Sequence, residues 1–327
     1  MLVLESRNVH QALQRGMEWI GDNGVPRESR AGNVLVAPTP VTSVYRAPSE
    51  RVLFWRNRDA NPWFHFMEGL WMLAGREDVA WLSQFSSNIA QFSDNGRTFH
   101  GAYGYRWRQS FQVDQLPVIA DRLRQNPEDR RAVLGIWSPS IDLERVGKDV
   151  PCNLAVHFQV NHDMKLDMTV FNRSNDLIWG CYGANAVHFS MLHEVMSSCI
   201  GYQVGRYYQV SNNFHAYVDT MTKHEAVVFE DYPDPYELGV IEPYPMVNVD
   251  PEIWFQDLCI FMDEGPIIGF RDPFFRRVVT PMFHSWAAWK NKSDPKRIDN
   301  ALEIISQCAA TDWKKACTEW LERRRKN

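Results

Sequence analysis

Apolar positions recur at helical spacing from Asn8 to Ile20, and this predicts a first helix. Gly, Pro and Arg then crowd residues Gly21 to Asn33, predicting a loop before the strand-like run Val34-Leu35-Val36. From Pro62 to Ala74 the chain is apolar nearly all round, as in a buried helix, with one carboxylate, Glu68, embedded in it. A buried carboxylate needs partners or a raised pKa. The glycine-punctuated aromatic stretch Gly101 to Arg108 predicts a tight loop, and Leu116 to Gln125 a helix. Four strands follow by alternation or apolar run: Ala132–Trp137, Leu154–Val160, Lys165–Phe171 and Val204–Val210. A loop holding Gly180 and Gly183, then a helix from Ala186 to Ile200, separates the last two. Prolines break the pattern after Asp231, a strand is expected near Met246 to Val249, and the end reads as helices over Met282–Lys290, Lys296–Ala309 and Thr311–Arg325.

The polar residues gather where strands begin and end. Pro151-Cys152-Asn153 stands at the mouth of one strand, where a proline costs no ladder hydrogen bond. Asn172-Arg173-Ser174-Asn175-Asp176 closes the next strand, and Ser211 to Tyr217, with His215, closes the last. Convergence of Cys, Arg, Ser, Asn, Asp, His and Tyr at one end of a sheet suits a ligand pocket. Arg130-Arg131 precedes a strand, and a guanidinium fork binds oxyanions bidentately. His188 and His193 lie five apart, off the spacing of a helical metal pair, and are read as ordinary helix residues.

Composition narrows the classes. The 327 residues suffice for a sizeable core, and no apolar run approaches the roughly 20 residues that span a bilayer. The 6 cysteines form no CxxC pair, which argues against a zinc site or a disulfide framework and for a reducing compartment, the cytoplasm. A net charge of −5, with the one dense basic run at Arg323 to Lys326, argues against polymeric nucleic acid as a partner.

The ordered set Glu68-x-Leu70-Trp71, Tyr103-Gly104-x-x-Trp107-Arg108, Arg130-Arg131, Pro151-Cys152, Arg173-Ser174-x-Asp176, Asn185 and His215-x-Tyr217 resembles the thymidylate synthase family. The resemblance covers roughly residues 30 to 217. It implies an α+β fold with a large mixed sheet backed by helices, a catalytic part over residues 1–264, and a helical C-terminal extension over 265–327 packed on the same domain. It implies a homodimer, a pyrimidine nucleoside monophosphate as substrate and 5,10-methylenetetrahydrofolate as cofactor. Cys152 would add to C6 of the base, with Glu68 and Tyr103 managing protons and ordered water. Arg30, Arg173 and Ser174 would hold the phosphate, with Arg130 and Arg131 reaching over from the other subunit. His215 and Tyr217 would bind the sugar, Asn185 the base edge beside Asn153, and Asp176, with catalytic duty as well, would join Gly180 and Trp71 at the folate.

Four departures bear on the outcome. Asn153 replaces the family's histidine, four residues instead of three separate Gly180 from Asn185, and Phe85, Phe92 and Phe99 stand in a span where tryptophans are expected. The chain also carries a helical tail instead of a short apolar peptide. These changes look similar to the nucleotide hydroxymethylases of phages, in which water, in place of hydride, completes the reaction. An Asn amide can face either base by flipping. Asn153 and the lengthened loop tip the reading to dCMP, with dUMP next; methylation of dUMP to dTMP and an inactive nucleotide- or RNA-binding relative are the alternatives.

Overall fold

The computed structural model describes residues 1–29, 31–229 and 231–325. Among them, ten strands form two sheets. The larger has six strands: β1 (Leu2–Ser6), β4 (Val41–Tyr45), β9 (Gln203–Ser211), β7 (Lys165–Asn172), β6 (Asn153–Val160) and β5 (Val133–Gly135), in that spatial order. It is mixed, because β1–β4 and β7–β9 run parallel while the other pairs are antiparallel. The smaller has the order β2 (Val25–Ser29), β3 (Gly32–Val36), β10 (Phe214–Tyr217), β8 (Asn175–Asp176).

Five helices position the site or cover it. They are α1 (Val9–Asn23), α2 (Pro62–Leu73), α3 (Gln115–Gln125), α4 (Asn185–Ile200) and α5 (Pro251–Glu264). Asn61 caps α2 by accepting from the Phe64 amide at 3.1 Å, and Pro62 occupies the first turn, where its missing N–H costs nothing. The face of α2 bearing Trp63 and Phe66 is sealed by the C-terminal helices α6 (Thr280–Lys290) and α8 (Thr311–Arg325), with α7 (Arg297–Ser306) packed against both of these. There Trp63 meets Trp286 and Trp320, and Phe66 meets Trp313. Arg323 and Arg324 of α8 hold Asp59 just ahead of α2, at 3.0 and 2.7 Å. Glu68 lies on the opposite face. No described helix is long and apolar enough to cross a membrane.

Several expectations change. The segment Gly21–Asn33 is not a loop but largely the end of α1 and the β2–β3 hairpin; β2 is a sheet edge, so Pro26 interrupts no inner ladder. Gly101–Arg108 is not a loop either: Tyr103–Ser110 coils helically against the end of α2, where a side chain on Gly104 would strike the Met72 carbonyl. The stretch Leu177–Ala184 winds as a wide π-type turn running into α4. Residues 246–249 form no strand, because the amides of Met246, Asn248 and Val249 donate to the carboxylates of Glu194 and Asp272 instead of to a neighbouring chain. Helix α5 carries no expectation from its sequence; its Asp250 cap and Pro251 were the overlooked signals.

Candidate active site

The β6–β7 ladder slips in register between Asn153 and Ala155. That irregularity turns Asn153 fully inward and leaves Cys152 half-buried at the strand mouth. Arg173, one residue past the end of β7, clamps the approach to it. Its Nε donates to the Pro151 carbonyl at 2.8 Å and its Nη2 to the Val150 carbonyl at 3.1 Å, while Nη2 lies 3.9 Å from Cys152 Sγ. A fixed cation at that range favours a thiolate over a thiol. From the other side the Cys152 amide donates to Tyr103 Oη at 3.4 Å. Burial holds the Tyr103 phenol protonated, its pKa far above the ordinary value.

Two cavities flank the segment Asp149–Cys152, with Val150 and Cys152 lining the larger and Asp149 the smaller. The larger, about 640 Å³, is lined by Cys152, Arg173, Ser174, Asp176, His215 and Tyr217. Arg27, Arg145 and Lys148 also line it, three cations absent from the expected set. Arg27 sits on β2 within the stretch read as a loop, whereas Arg145 and Lys148 lie on the irregular segment before Cys152. That segment is tied down by Asp94, which accepts from Arg145 Nη2 at 2.9 Å and from the Lys148 amide at 2.8 Å. These contacts, the Lys148 one foremost, hold the Asp94 carboxyl below its usual range. His215 contacts Asn213 Oδ1 through Nδ1 at 2.9 Å, and its ring stands edge-on to Tyr217.

The smaller cavity, about 230 Å³, has a different character. Trp71, Leu82, Ile89, Phe92 and Phe99 form its walls, with Glu68, Tyr103, Asp149, Asn185 and His188 as the polar groups. Of the three expected phenylalanines, Phe92 and Phe99 line it, while Phe85 is buried among Trp81, Phe283 and Trp286. Burial raises the Glu68 carboxyl from 4.5 to about 8, so it is mostly protonated at neutral pH. His188, read from sequence as an ordinary helix residue, brings Nε2 to 3.4 Å from Glu68 Oε2. The available signal was its spacing: three residues after Asn185, it lies on the same face of α4.

Asn185 is held in a chain of side-chain amides. Cys181 supplies a backbone carbonyl, which can only accept, and Gln209 Nε2 donates to it at 3.0 Å. The Gln209 Oε1 therefore faces Asn175 Nδ2, at 2.8 Å, and Asn175 Oδ1 faces Asn185 Nδ2, at 3.1 Å. Asn185 Oδ1 in turn accepts from Asn153 Nδ2 at 3.3 Å. The orientation of each amide follows from the one before it. Gly180 lies against this chain, and a side chain there would come within 2.7 Å of Asn175 Oδ1.

Two buried oxygens beside the cavities have no protein partner, Asn153 Oδ1 and Asp176 Oδ2. The other Asp176 oxygen caps the turn that follows by accepting from the Trp179 amide at 2.6 Å. An unpaired buried acceptor is costly unless a ligand or water donates to it. Asp176 Oδ2, in the larger cavity, suits a heterocycle with adjacent N–H donors, and the apolar wall of Trp71 and Phe99, in the smaller one, suits a flat ring, so a reduced folate fits these residues where it reaches from one cavity into the other. Among the described residues no group of three His, Cys, Asp or Glu is placed to hold a metal ion.

The expected arginines divide. Arg173 lies in the larger cavity, whereas Arg30 lies outside the described residues. Arg130 and Arg131 line neither cavity in this chain. Arg130 borders a broad basin on the exposed face of the large sheet, with His157, Phe171 and Tyr208, and Arg131 extends into solvent beside Asp129.

The thymidylate synthase family model matches residues 13–237. A protein of Pseudomonas phage M6 named deoxyuridylate hydroxymethyltransferase is 53% identical over 99% of this chain and 95% of its own length. A deoxyuridylate hydroxymethyltransferase of Bacillus phage SP01 is 39% identical over 61% of this chain and 54% of its own length. A thymidylate synthase of Corynebacterium aurimucosum is 27% identical over 57% of this chain and 78% of its own length. The chain belongs to the thymidylate synthase family.

Proposed function

We propose that this one-carbon transferase converts dUMP to its 5-hydroxymethyl derivative, with Cys152 as the nucleophile. The observation that carries the choice of base is the amide chain that ends at Asn185. Read alone, Asn185 can face uracil or cytosine by flipping. A flip now requires Asn175 and Gln209 to turn with it, and the Cys181 carbonyl gives Gln209 no donor in the reversed state. The two features that favoured cytosine, Asn153 and the longer loop, both feed this chain. A locked amide reads one base, and the name deoxyuridylate hydroxymethyltransferase borne by the phage relatives supports uracil.

When bound, 5,10-methylenetetrahydrofolate supplies the one-carbon unit; Asp176, Trp71 and Phe99 would hold it. The chain's own residues do the rest. Arg173 and Arg27 neutralise the phosphate and the Ser174 hydroxyl donates to it, while His215 and Tyr217 orient the sugar. Cys152 bonds to C6, which places negative charge at C5 for attack on the carbon delivered to it. Tyr103 holds the Cys152 backbone and so the approach angle of the sulfur. Glu68 exchanges protons in the smaller cavity, at a pKa close to working pH.

The same reading includes a homodimer. The sheet face carrying His157, Gln159 and Phe171 is open in the single chain, and Arg130 borders it. A second copy on this face would let Arg130 and Arg131 reach the partner's phosphate site.

The test is to incubate the protein with 5,10-methylenetetrahydrofolate and either dUMP or dCMP, then weigh the nucleotide. A gain of about 30 mass units on dUMP, the formula increment of the water branch after covalent addition, is expected. The same gain on dCMP alone would reverse the choice of base, and about 14 units on dUMP would make the protein a methylating synthase.

A further inference from the structure

The contact between α2 and α4 at Glu68 contains more than a buried acid. His188 is 4% exposed, and its Nε2 lies 3.2 Å from the His65 backbone carbonyl as well as 3.4 Å from Glu68 Oε2. A carbonyl oxygen only accepts, so Nε2 carries the hydrogen and donates it to His65, with Glu68 Oε2 standing beside that donor at 3.4 Å from the nitrogen. Burial pushes the imidazole down to about 3, so this is a neutral donor throughout the working range. An oxygen beside such a donor is the poorer place for the carboxyl's own proton.

We propose that His188 is a positioning residue for the acid of this site: its Nε2–H holds Glu68 by Oε2, so the proton that Glu68 takes up and returns is carried on Oε1. The contact stands on geometry alone; only the identity of the proton rests on the hydroxymethylase reading. On that reading, a water oxygen bonds to the exocyclic methylene carbon of the nucleotide as one water proton passes to Glu68 Oε1. The π pair of that double bond moves into the ring as an enolate. Collapse of the enolate restores the C5–C6 double bond and breaks the C6–Sγ bond, and the bonding pair returns to Cys152 as thiolate. In this step the His188 donor stabilises the carboxylate that must be present beforehand. The other ionisable groups around Glu68 are Tyr103 and Asp149 across the cavity and His65 on α2, with Arg58 acting on His65. Burial keeps Tyr103 and His65 neutral and raises Asp149.

The experiment is an infrared pH titration of the Glu68 carboxyl in ligand-free protein, assigned by difference from Glu68→Gln, for wild type, His188→Leu and His188→Gln. Removing a donor to the charged form should raise the Glu68 midpoint by about one pH unit in His188→Leu. Turnover should fall about 10- to 100-fold, with the nucleotide KM within about 3-fold. His188→Gln, which keeps an N–H donor, should recover most of both. A folded His188→Leu whose Glu68 midpoint is unmoved overturns the proposal, whatever happens to turnover. Should His188→Leu not fold, His188→Asn, too short to reach Oε2, takes its place with the same two outcomes. Product mass from the wild type reports separately on the water branch, so the two ideas can fail independently.

Discussion

The two cavities on either side of Cys152 solve opposite problems. In the proposed reaction the larger would hold a dianionic phosphate, and its cations are kept on strands and tied loops: Arg173 on backbone carbonyls, Arg145 on Asp94. On the same reading the smaller would hold a flat, largely apolar ring and move protons beside it. Its walls are Trp71, Leu82, Phe92 and Phe99, and its acid Glu68 stays mostly neutral at pH 7 because burial, not a counter-ion, sets its pKa. Fixed charge recognises one partner, and a tunable proton acts on the other.

The sharpest way to break this division is at the nucleophile of the larger cavity. Cys152→Ala should abolish turnover while leaving nucleotide affinity, measured by calorimetry, within about 3-fold, since phosphate and sugar contacts stay in the larger cavity. Turnover surviving in that variant would remove covalent catalysis. Next in size, Glu68→Gln should lower kcat about 10²- to 10⁴-fold and leave the nucleotide KM nearly unchanged, in steady-state kinetics. A rise in nucleotide KM matching the loss in kcat would mean that the two cavities are not separate in function.

A smaller effect is expected one layer behind the base. Gln209→Leu takes away the donor that is anchored on the Cys181 carbonyl and the acceptor that orients Asn175. The preference for dUMP over dCMP, as a ratio of kcat/KM, should fall about 10-fold, because Asn185 regains the freedom to turn. An unchanged ratio would place base choice outside the amide chain.

The larger cavity was more legible in the sequence than the smaller, for a physical reason. Cys152, Arg173, Ser174, Asp176, His215 and Tyr217 sit at the ends of alternating strands, so period two and the proline at position 151 located them together. Arg27 was hidden because edge strands tolerate the Pro and Gly that normally signal loops. The smaller cavity forms between helices that are apolar nearly all round, where periodicity cannot tell which face is lined and which is packed. Glu68 was visible as an anomaly of charge, whereas His188, on an equally buried helix, was not. The amide chain was invisible for another reason: Asn153, Asn175, Asn185 and Gln209 come from three strands and a helix, and only tertiary folding aligns them.

The two regions should also respond to pH with opposite signs. For Glu68 the folded carboxyl titrates near 8 and the unfolded one near 4.5. Between those values the unfolded chain releases its proton while the folded chain keeps it, so stability falls as pH rises through that window and levels off above it. Asp94, which ties down the loop of the larger cavity, behaves in reverse. The Lys148 amide and Arg145 depress its folded value, so the stability it contributes is present above the ordinary carboxylate range and is lost as pH falls through the depressed one. Melting temperatures of wild type, Glu68→Gln and Asp94→Asn, followed from pH 3 to pH 9, separate the two. The gap between wild type and Glu68→Gln should move in the variant's favour from about pH 4.5 to about pH 8, by a few degrees. The gap to Asp94→Asn should be steady over that range, close only at the acid end, and be the smaller of the two because Asp94 is open to solvent. A Glu68→Gln gap flat from pH 5 to pH 8 would mean that Glu68 is ionised in the folded protein, and the smaller cavity would then hold fixed charge like its neighbour.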